Sequence, residues 1–520
     1  MKEKSLKQLL EKARHEIEVT DDDLAEAKRR RQLLASALGR AFPGSTVYFN
    51  GSVAHGDANS PLTDVDLGAK LSPGDGQGFG PDGNDALPLM ERARDAIRED
   101  LANEFPKLTV EVAGRRRAVL VRFGDPVTAG QPDFTADVMT AIPHPSGKGL
   151  FIPNMEIADK WDRADPITHT EMVLDAIDRT ENTFARTVRL LKHWNCTHSK
   201  PLCSWNIKAL ALECITTPMP LAEALQAFFT HAAQELKSGQ TDDPAGVADL
   251  IPLNLPISEV RKRLDTARDY IDLAMEHENE NRPLSAQHVL SKVFPEIVPD
   301  ADPTQEEAAR LRRDVIVTGS AASGLGLAGS SHHHPGLGTV EMGIWYGVQP
   351  VWWAPLEREA RHRFGDNLRH SYGKGRLTYR LSGLDVIGEP APLPVTVSFF
   401  DEPSYPTFGQ HPRDFPRVYA KPGAASKHRH GADDALCLWQ PYDPQEHRWT
   451  SSKGLLDLFE IVRTHLFMEH WWRLTGGDDG GQWLIEDAPH GLPGSNAWAP
   501  SSSSRPRRKR AAGRGPKPPL

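Results

Sequence analysis

The chain has 520 residues, enough for about three domains. Its 25% charged and 39% hydrophobic residues exclude bulk disorder, collagen-like repeats and coiled coil, and no run of 18 apolar residues offers a membrane span. Net charge is −9, yet the last twenty residues carry seven Lys/Arg and no acid, so residues 1–500 alone carry −16 and any nucleotide chemistry must rest on a local site.

The first segment, MKEKSLKQLLEKAR, lacks the apolar core of a signal peptide, and four cysteines fit a reducing cytoplasm. Apolar residues at helical spacing predict helices over 4–18 and 22–42, with Asp21 to Asp23 as an N-cap cluster and Gly44 after the end. A strand follows at 45–49, closed by the turn Asn50-Gly51-Ser52, then a second strand at 62–70 and a Gly/Asp/Pro-rich loop at 73–86. A helix over 88–105 leads to strands near 108–113, 116–123 and 134–141. From Thr170 to Asn195 the pattern is helical, with Val173, Ile177, Phe184, Val188 and Leu191 on one face, and more helices continue to about 314.

Composition then shifts. Residues 319–338 read as a flexible Gly/Ser linker, whose His332, His333 and His334 form no dedicated metal site. Beyond it the chain is rich in Trp, Pro and β-type residues. The end, 496–520, reads as a disordered basic tail that is either solvated or weakly anion-binding.

The strongest chemistry lies in GSVAHGDANSPLTDVDLG. Asp64 and Asp66, two apart on a strand, point to the same face. Such close like charges call for a hard cation with oxygen ligands, normally Mg²⁺. Gly51-Ser52, opening a helix, offers backbone N–H groups and a hydroxyl for a phosphate. The plain alternative is a hairpin with exposed aspartates. Asp137, among the apolar neighbours of FTADVMTAIP, is the expected third carboxylate, in preference to Asp133 before the strand.

This order of motifs resembles the polymerase-β-type nucleotidyltransferases. ADPITHTEMVLDAIDRTENTFARTVRLLKHWN narrows the likeness, over roughly 20–310, to the bacterial CD-NTases, relatives of cyclic GMP–AMP synthase and oligoadenylate synthetase. The resemblance implies two Mg²⁺ ions held by Asp64, Asp66 and Asp137, NTP substrates, and a cyclic or linear oligonucleotide second messenger acting on a separate effector in anti-phage defence. It also implies that Lys192 and Ser204 hold the donor triphosphate. Alternatives are a solvent-face Lys192 beside Arg189 and an N-cap Ser204. A nucleotidyltransferase acting on RNA, protein or a small molecule, and a silent interaction scaffold, are the rival functions. His193, Cys196, His198 and Cys203 lie close in sequence but at spacings unusual for zinc.

Residues 372–465 carry antiparallel-strand patterns, the Tyr405-Pro406 turn, Ala435-Leu436-Cys437-Leu438-Trp439, Trp449 and the amphipathic helix GLLDLFEIVRTHLFMEHWW. That order resembles the ubiquitin-conjugating fold, with Cys437 at the thioester position. The family's His-Pro-Asn is missing; Lys427-His428-Arg429-His430-Gly431 stands there, leaving His428 or His430 to support the carbonyl. A conjugation partner and an activating enzyme are then implied, with a buried, inactive Cys437 as the alternative. Trp471, Trp472 and the Trp483 to Gly491 end read as packing and loop. The expected architecture is thus a multidomain α/β and α+β chain. A nucleotidyltransferase core (1–165) precedes a helical domain (166–318), a linker (319–340), a ubiquitin-conjugating-like α+β domain (341–495) and the tail.

Overall fold

The computed structural model describes residues 5–157, 160–237, 239–318, 352–373, 375–439 and 448–484. The Gly/Ser linker, the three adjacent histidines, Pro489 to Gly491 and the basic tail lie outside them. The chain divides into two compact units between Asp302 and Pro303. Among the described residues no helix is long and apolar enough to cross a membrane.

The first unit opens with α1 (Leu6–Glu16). Ser5 and Gln8 cap it reciprocally, each side chain accepting from the other's backbone N–H. α2 (Asp21–Ala41) is capped by Thr20, whose hydroxyl accepts from Asp23 N–H at 3.2 Å. The three aspartates expected as the cap lie inside its first turn instead, where their charge suits the helix dipole.

A seven-stranded sheet follows. β1 (Thr46–Asn50), β2 (Asp64–Lys70), β3 (Thr109–Glu111), β4 (Val119–Arg122) and β5 (Thr135–Pro143) lie in the order β1-β2-β5-β4-β3. β6 (Leu150–Pro153) extends β5, and β7 (Trp161–Ala164) pairs with β6. Only β2 and β5 run parallel. β6 and β7 give no sequence signal, because four residues with Pro153 in one and two charges in the other show no clean alternation. α2 and α4 (Leu87–Leu101) cover one face, burying Leu34, Leu38, Met90 and Ile97 with Val65, Leu67 and Val138 in one core.

The helical part comprises α5 (Pro166–Arg179), α6 (Thr183–Thr197), α7 (Ser204–Cys214), α8 (Leu221–Glu235), α9 (Ile257–Asn279) and α10 (Pro283–Val293). The single helical run expected from Thr170 to Asn195 breaks at Glu181 and Asn182, which adopt φ of 51° and 68°. Thr180 stabilises the break by accepting from Phe184 N–H at 3.0 Å. Trp194, Phe228 and Phe229 are fully buried here, and each such ring contributes about 2–3 kcal/mol. α1 joins this core through Leu6, Leu9 and Leu10 rather than the sheet.

The second unit begins with α11 (Thr304–Thr318), placed by sequence at the end of the helical domain. Its Ala308 and Leu311 are buried in the second unit's core, which explains the boundary at 302. α12 (Trp353–Phe364) precedes four antiparallel strands: β8 (Leu368–Gly373), β9 (Arg376–Leu384), β10 (Leu393–Phe400) and β11 (Arg417–Tyr419), in the order β11-β10-β9-β8. α13 (Gly454–Leu474) buries Leu458, Phe459, Val462 and Leu466 with Tyr379, Val397 and Phe399. It is not amphipathic as expected: His465 and Glu469, on its polar positions, are buried as well.

Candidate active site

Parallel pairing of β2 and β5 sets Asp66 directly opposite Asp137, with Asp64 opposite Thr135. Side chains alternate along a strand, so Asp64, Asp66 and Asp137 share one face of the sheet. The opposite face carries Val65, Leu67, Ala136 and Val138, all buried. Asp64 and Asp137 are exposed and Asp66 is half-buried.

The turn after β1 closes over this face. Gly51 has φ +74°, and a Cβ there would run into the Asp66 carboxylate. No other residue fits. Gly51 and Ser52 open the one-turn helix α3 (Gly51–Ala54), and their carbonyls accept from His55 N–H and Asp57 N–H, both at 3.1 Å.

Electrostatics mark the face as unbalanced. Burial, then the Asp64 and Asp137 charges, pushes the Asp66 carboxyl up to about 7. Asp137 is raised by burial and by Asp64. Three oxygen-donor carboxylates repelling one another suit a hard divalent cation. Among the described residues no three His, Cys, Asp or Glu side chains converge closely enough to hold a metal as they stand. The acids are gathered on one face without closing on one point.

Beside them lies a buried cluster that sequence reasoning missed. Asp57 is fully buried; its Oδ1 accepts from Lys192 Nζ at 3.2 Å and its Oδ2 pairs with Lys208 Nζ at 2.9 Å. Lys192 also donates to the Asp57 carbonyl at 2.9 Å. Lys208 Nζ lies 2.7 Å from His55 Nδ1, and His55 Nε2 lies 3.0 Å from the Thr170 hydroxyl. Burial, then Lys208, depresses His55 to about 3, so the ring is neutral and accepts from Lys208. Burial lowers Lys208, against the pull of Asp57. Asp57 is held low by Lys208 and Lys192 against its own burial. A lone lysine inside the apolar run NIKALAL was the available signal, since a buried lysine needs a partner.

The other expected residues fall out separately. Lys192 turns to Asp57, whereas Arg189 pairs with Glu18 at 3.0 Å, so the two do not share a solvent face. Ser204 is the exposed first residue of α7, one turn before Lys208. It is not the N-cap; Cys203 is, its sulfur accepting from Asn206 N–H at 3.3 Å. That commits Cys203, while His198 Nδ1 sits 2.8 Å from the Trp194 carbonyl and Cys196 is exposed. The four candidate zinc residues therefore do not converge.

In the second unit Cys437 is half-buried on the stretch after β11, its N–H donating to the His428 carbonyl at 3.0 Å. Burial pushes its thiol up, and Arg417 only partly opposes this. The His428 ring stacks on Trp483 at 3.6 Å between centroids instead of facing the sulfur. His430 is depressed to about 4 by burial, then by Arg417. The His430 ring is therefore not a cation near neutrality that would activate a thiolate.

No family profile and no curated protein matches the chain. Solved structures do. The Escherichia coli MS115-1 CdnC with ATP is 16% identical, with 56% of this chain and 98% of that one covered and a TM-score of 0.42. A mutant Vibrio cholerae di-nucleotide cyclase, DncV, with ATP and GTP is 12% identical over 57% and 96%, TM-score 0.43. The Bradyrhizobium diazoefficiens CD-NTase CdnG with GTP is 15% identical over 56% and 98%, TM-score 0.40.

Proposed function

We propose that the first unit is a nucleotidyltransferase that joins NTPs into a cyclic or linear oligonucleotide. One observation carries this: Asp66 and Asp137 stand side by side across β2 and β5, with Asp64 on the same face and Gly51 packed over Asp66. Asp64, Asp66 and Asp137 would hold Mg²⁺, which when bound neutralises phosphate charge and acidifies a ribose hydroxyl.

The chain's own groups do the rest. The acidic face orients the hydroxyl oxygen toward the α-phosphorus; the new P–O bond forms as the bond to pyrophosphate breaks, and the hydroxyl proton passes to that face. Lys192 neutralises the departing pyrophosphate oxygens, and Lys208 keeps Asp57 satisfied when Lys192 turns to substrate. The exposed Ser204 hydroxyl lies on the same helix as Lys208 and is free to donate to a phosphate oxygen.

The test is purified full-length protein with each labelled NTP and Mg²⁺, followed by phosphatase. A phosphatase-resistant oligonucleotide supports the reading. Label found on added RNA, protein or a small molecule replaces it with another transferase, and no transfer at all leaves an interaction scaffold. A signalling role in anti-phage defence rests on the sequence resemblance.

For the second unit we propose a ubiquitin-conjugating-like domain, supported by its order of helix, four-strand antiparallel meander, Cys437 segment and helix. The raised Cys437 thiol favours recognition over conjugation. A thiol-sensitive adduct in native extract that disappears in Cys437→Ala would reverse that preference.

A further inference from the structure

Helix α6 has a second working face. At about 100° per residue, Trp194 lies roughly 200° around the helix from Lys192, so it points away from the acidic site. On that side α6, α9 and α10 border a half-open cavity of about 200 Å³. Its aromatic wall is built from Trp194, which is fully buried, and the His198 ring stacked on it at 5.3 Å, with Tyr270 also lining the space.

The polar wall is cationic. Arg263 is fixed there, donating to the His198 carbonyl at 3.1 Å and to Glu259 at 2.8 Å, and Glu259 neutralises it. Lys262 and Lys292 also line the cavity, are exposed, and make no ion pair with a carboxylate among the described residues. Lys262 thus adds an unpaired positive charge beside an aromatic hollow, while Lys292 is partly offset by the nearby Asp300 carboxylate. The Trp194 indole Nε1–H is buried without a hydrogen-bond partner, a state that costs free energy unless something accepts from it.

We propose that this cavity binds a small planar ring carrying a phosphate, of the size of a nucleoside monophosphate. The volume is below the roughly 300 Å³ of pockets that enclose drug-sized ligands, which rules out a whole dinucleotide inside it. The ring lies against His198 and Tyr270, and the phosphate meets Lys262 and Lys292. The site is separate from the acidic face and does not depend on the transferase reading.

The test is equilibrium dialysis of full-length protein with labelled AMP in EDTA, which keeps divalent ions off the acidic face. AMP is expected to bind with a Kd below about 1 mM, and adenosine and inorganic phosphate to compete more weakly than AMP. The double variant Lys262→Glu, Lys292→Glu is expected to weaken binding roughly tenfold or more, with its melting temperature unchanged because both positions are exposed. Lys192→Ala is expected to leave AMP binding as it was. Absent binding, binding that survives the double reversal, binding lost in Lys192→Ala, or phosphate competing as well as AMP would each overturn the proposal.

Discussion

Two groups of charge in this molecule have opposite construction. In the second unit Glu469 is fully buried, but Arg429 grips it with two hydrogen bonds of 3.0 Å, and His465 and Arg473 lie at 3.6 and 3.5 Å. Its carboxyl is held down at about 2 despite its burial. In the first unit Asp64, Asp66 and Asp137 have one another and, among the described residues, no ion pair with a cation, and Asp66 is raised to about 7. Next to them Asp57 has two lysines where one would balance it. A neutralised cluster is a brace of the fold; in the function proposed above, the first unit's excess of negative charge beside an excess of positive charge takes a cation and a polyphosphate.

The comparison breaks most sharply at the acidic face. Replacing Asp64 and Asp66 with Asn should lower Mg²⁺-dependent nucleotidyl transfer on the order of a thousandfold or more. The same change should raise the melting temperature or leave it, because it removes mutual repulsion. A variant that transfers at near wild-type rate, or that unfolds, would make these aspartates structural.

The converse holds for the second unit. Arg429→Ala strands Glu469 in the interior and should cost about 3 kcal/mol in urea unfolding, with nucleotidyl transfer unchanged in the folded protein. A loss under 1 kcal/mol would mean that His465 and Arg473 suffice.

Between these extremes lies Lys192→Ala. Loss of one charge-assisted contact to triphosphate should lower kcat/KM by roughly ten- to a hundredfold, with both kcat and KM moving. Stability should fall little, since Lys208 still satisfies Asp57. A purely thermal effect with intact kinetics would confine Lys192 to the fold.

What the sequence made legible follows the same division. Asp64 and Asp66 stood out because strand side chains alternate, and Asp137 because a carboxylate sat among apolar neighbours. Local period was enough. Lys208 meets His55 from 153 residues away and Arg429 meets Glu469 from 40, and no local pattern reports such pairing. For that reason α13 read as amphipathic although its polar residues are buried. The break between α5 and α6 escaped notice because Glu181 and Asn182 take left-handed conformations without a glycine or proline to announce them. Cys437 matched a motif by order alone, and its electrostatic setting belongs to Arg417 and the surrounding burial.

The smallest expected effect separates burial from pairing by pH. His55 is almost fully buried and faces Lys208, Asp57, Lys192, His169 and Thr170. Its folded value of about 3 lies below the 6.5 of an unfolded histidine, so between those limits the unfolded chain binds the extra proton. The His55 contribution to the first unit's stability should therefore be full above pH 6.5 and decline as pH falls toward 3, by about 2 kcal/mol at pH 5. Glu469, with its folded value of about 2, begins to lose its contribution only below about 4.5. Asp66, raised to about 7, takes up its proton first in the fold and opposes the His55 slope between pH 7.5 and 5, so the His55 term is read as the difference between wild type and a His55 variant. His430, depressed to about 4, gives the second unit a slope of the same sign. His55→Gln should be less stable at pH 7.5 through loss of the Lys208 contact, but its unfolding free energy should fall less steeply between pH 7.5 and 5. An unchanged slope would mean that Lys208 moves away and lets His55 charge within the fold, and the cluster would then be a proton acceptor beside the acidic face instead of a fixed brace.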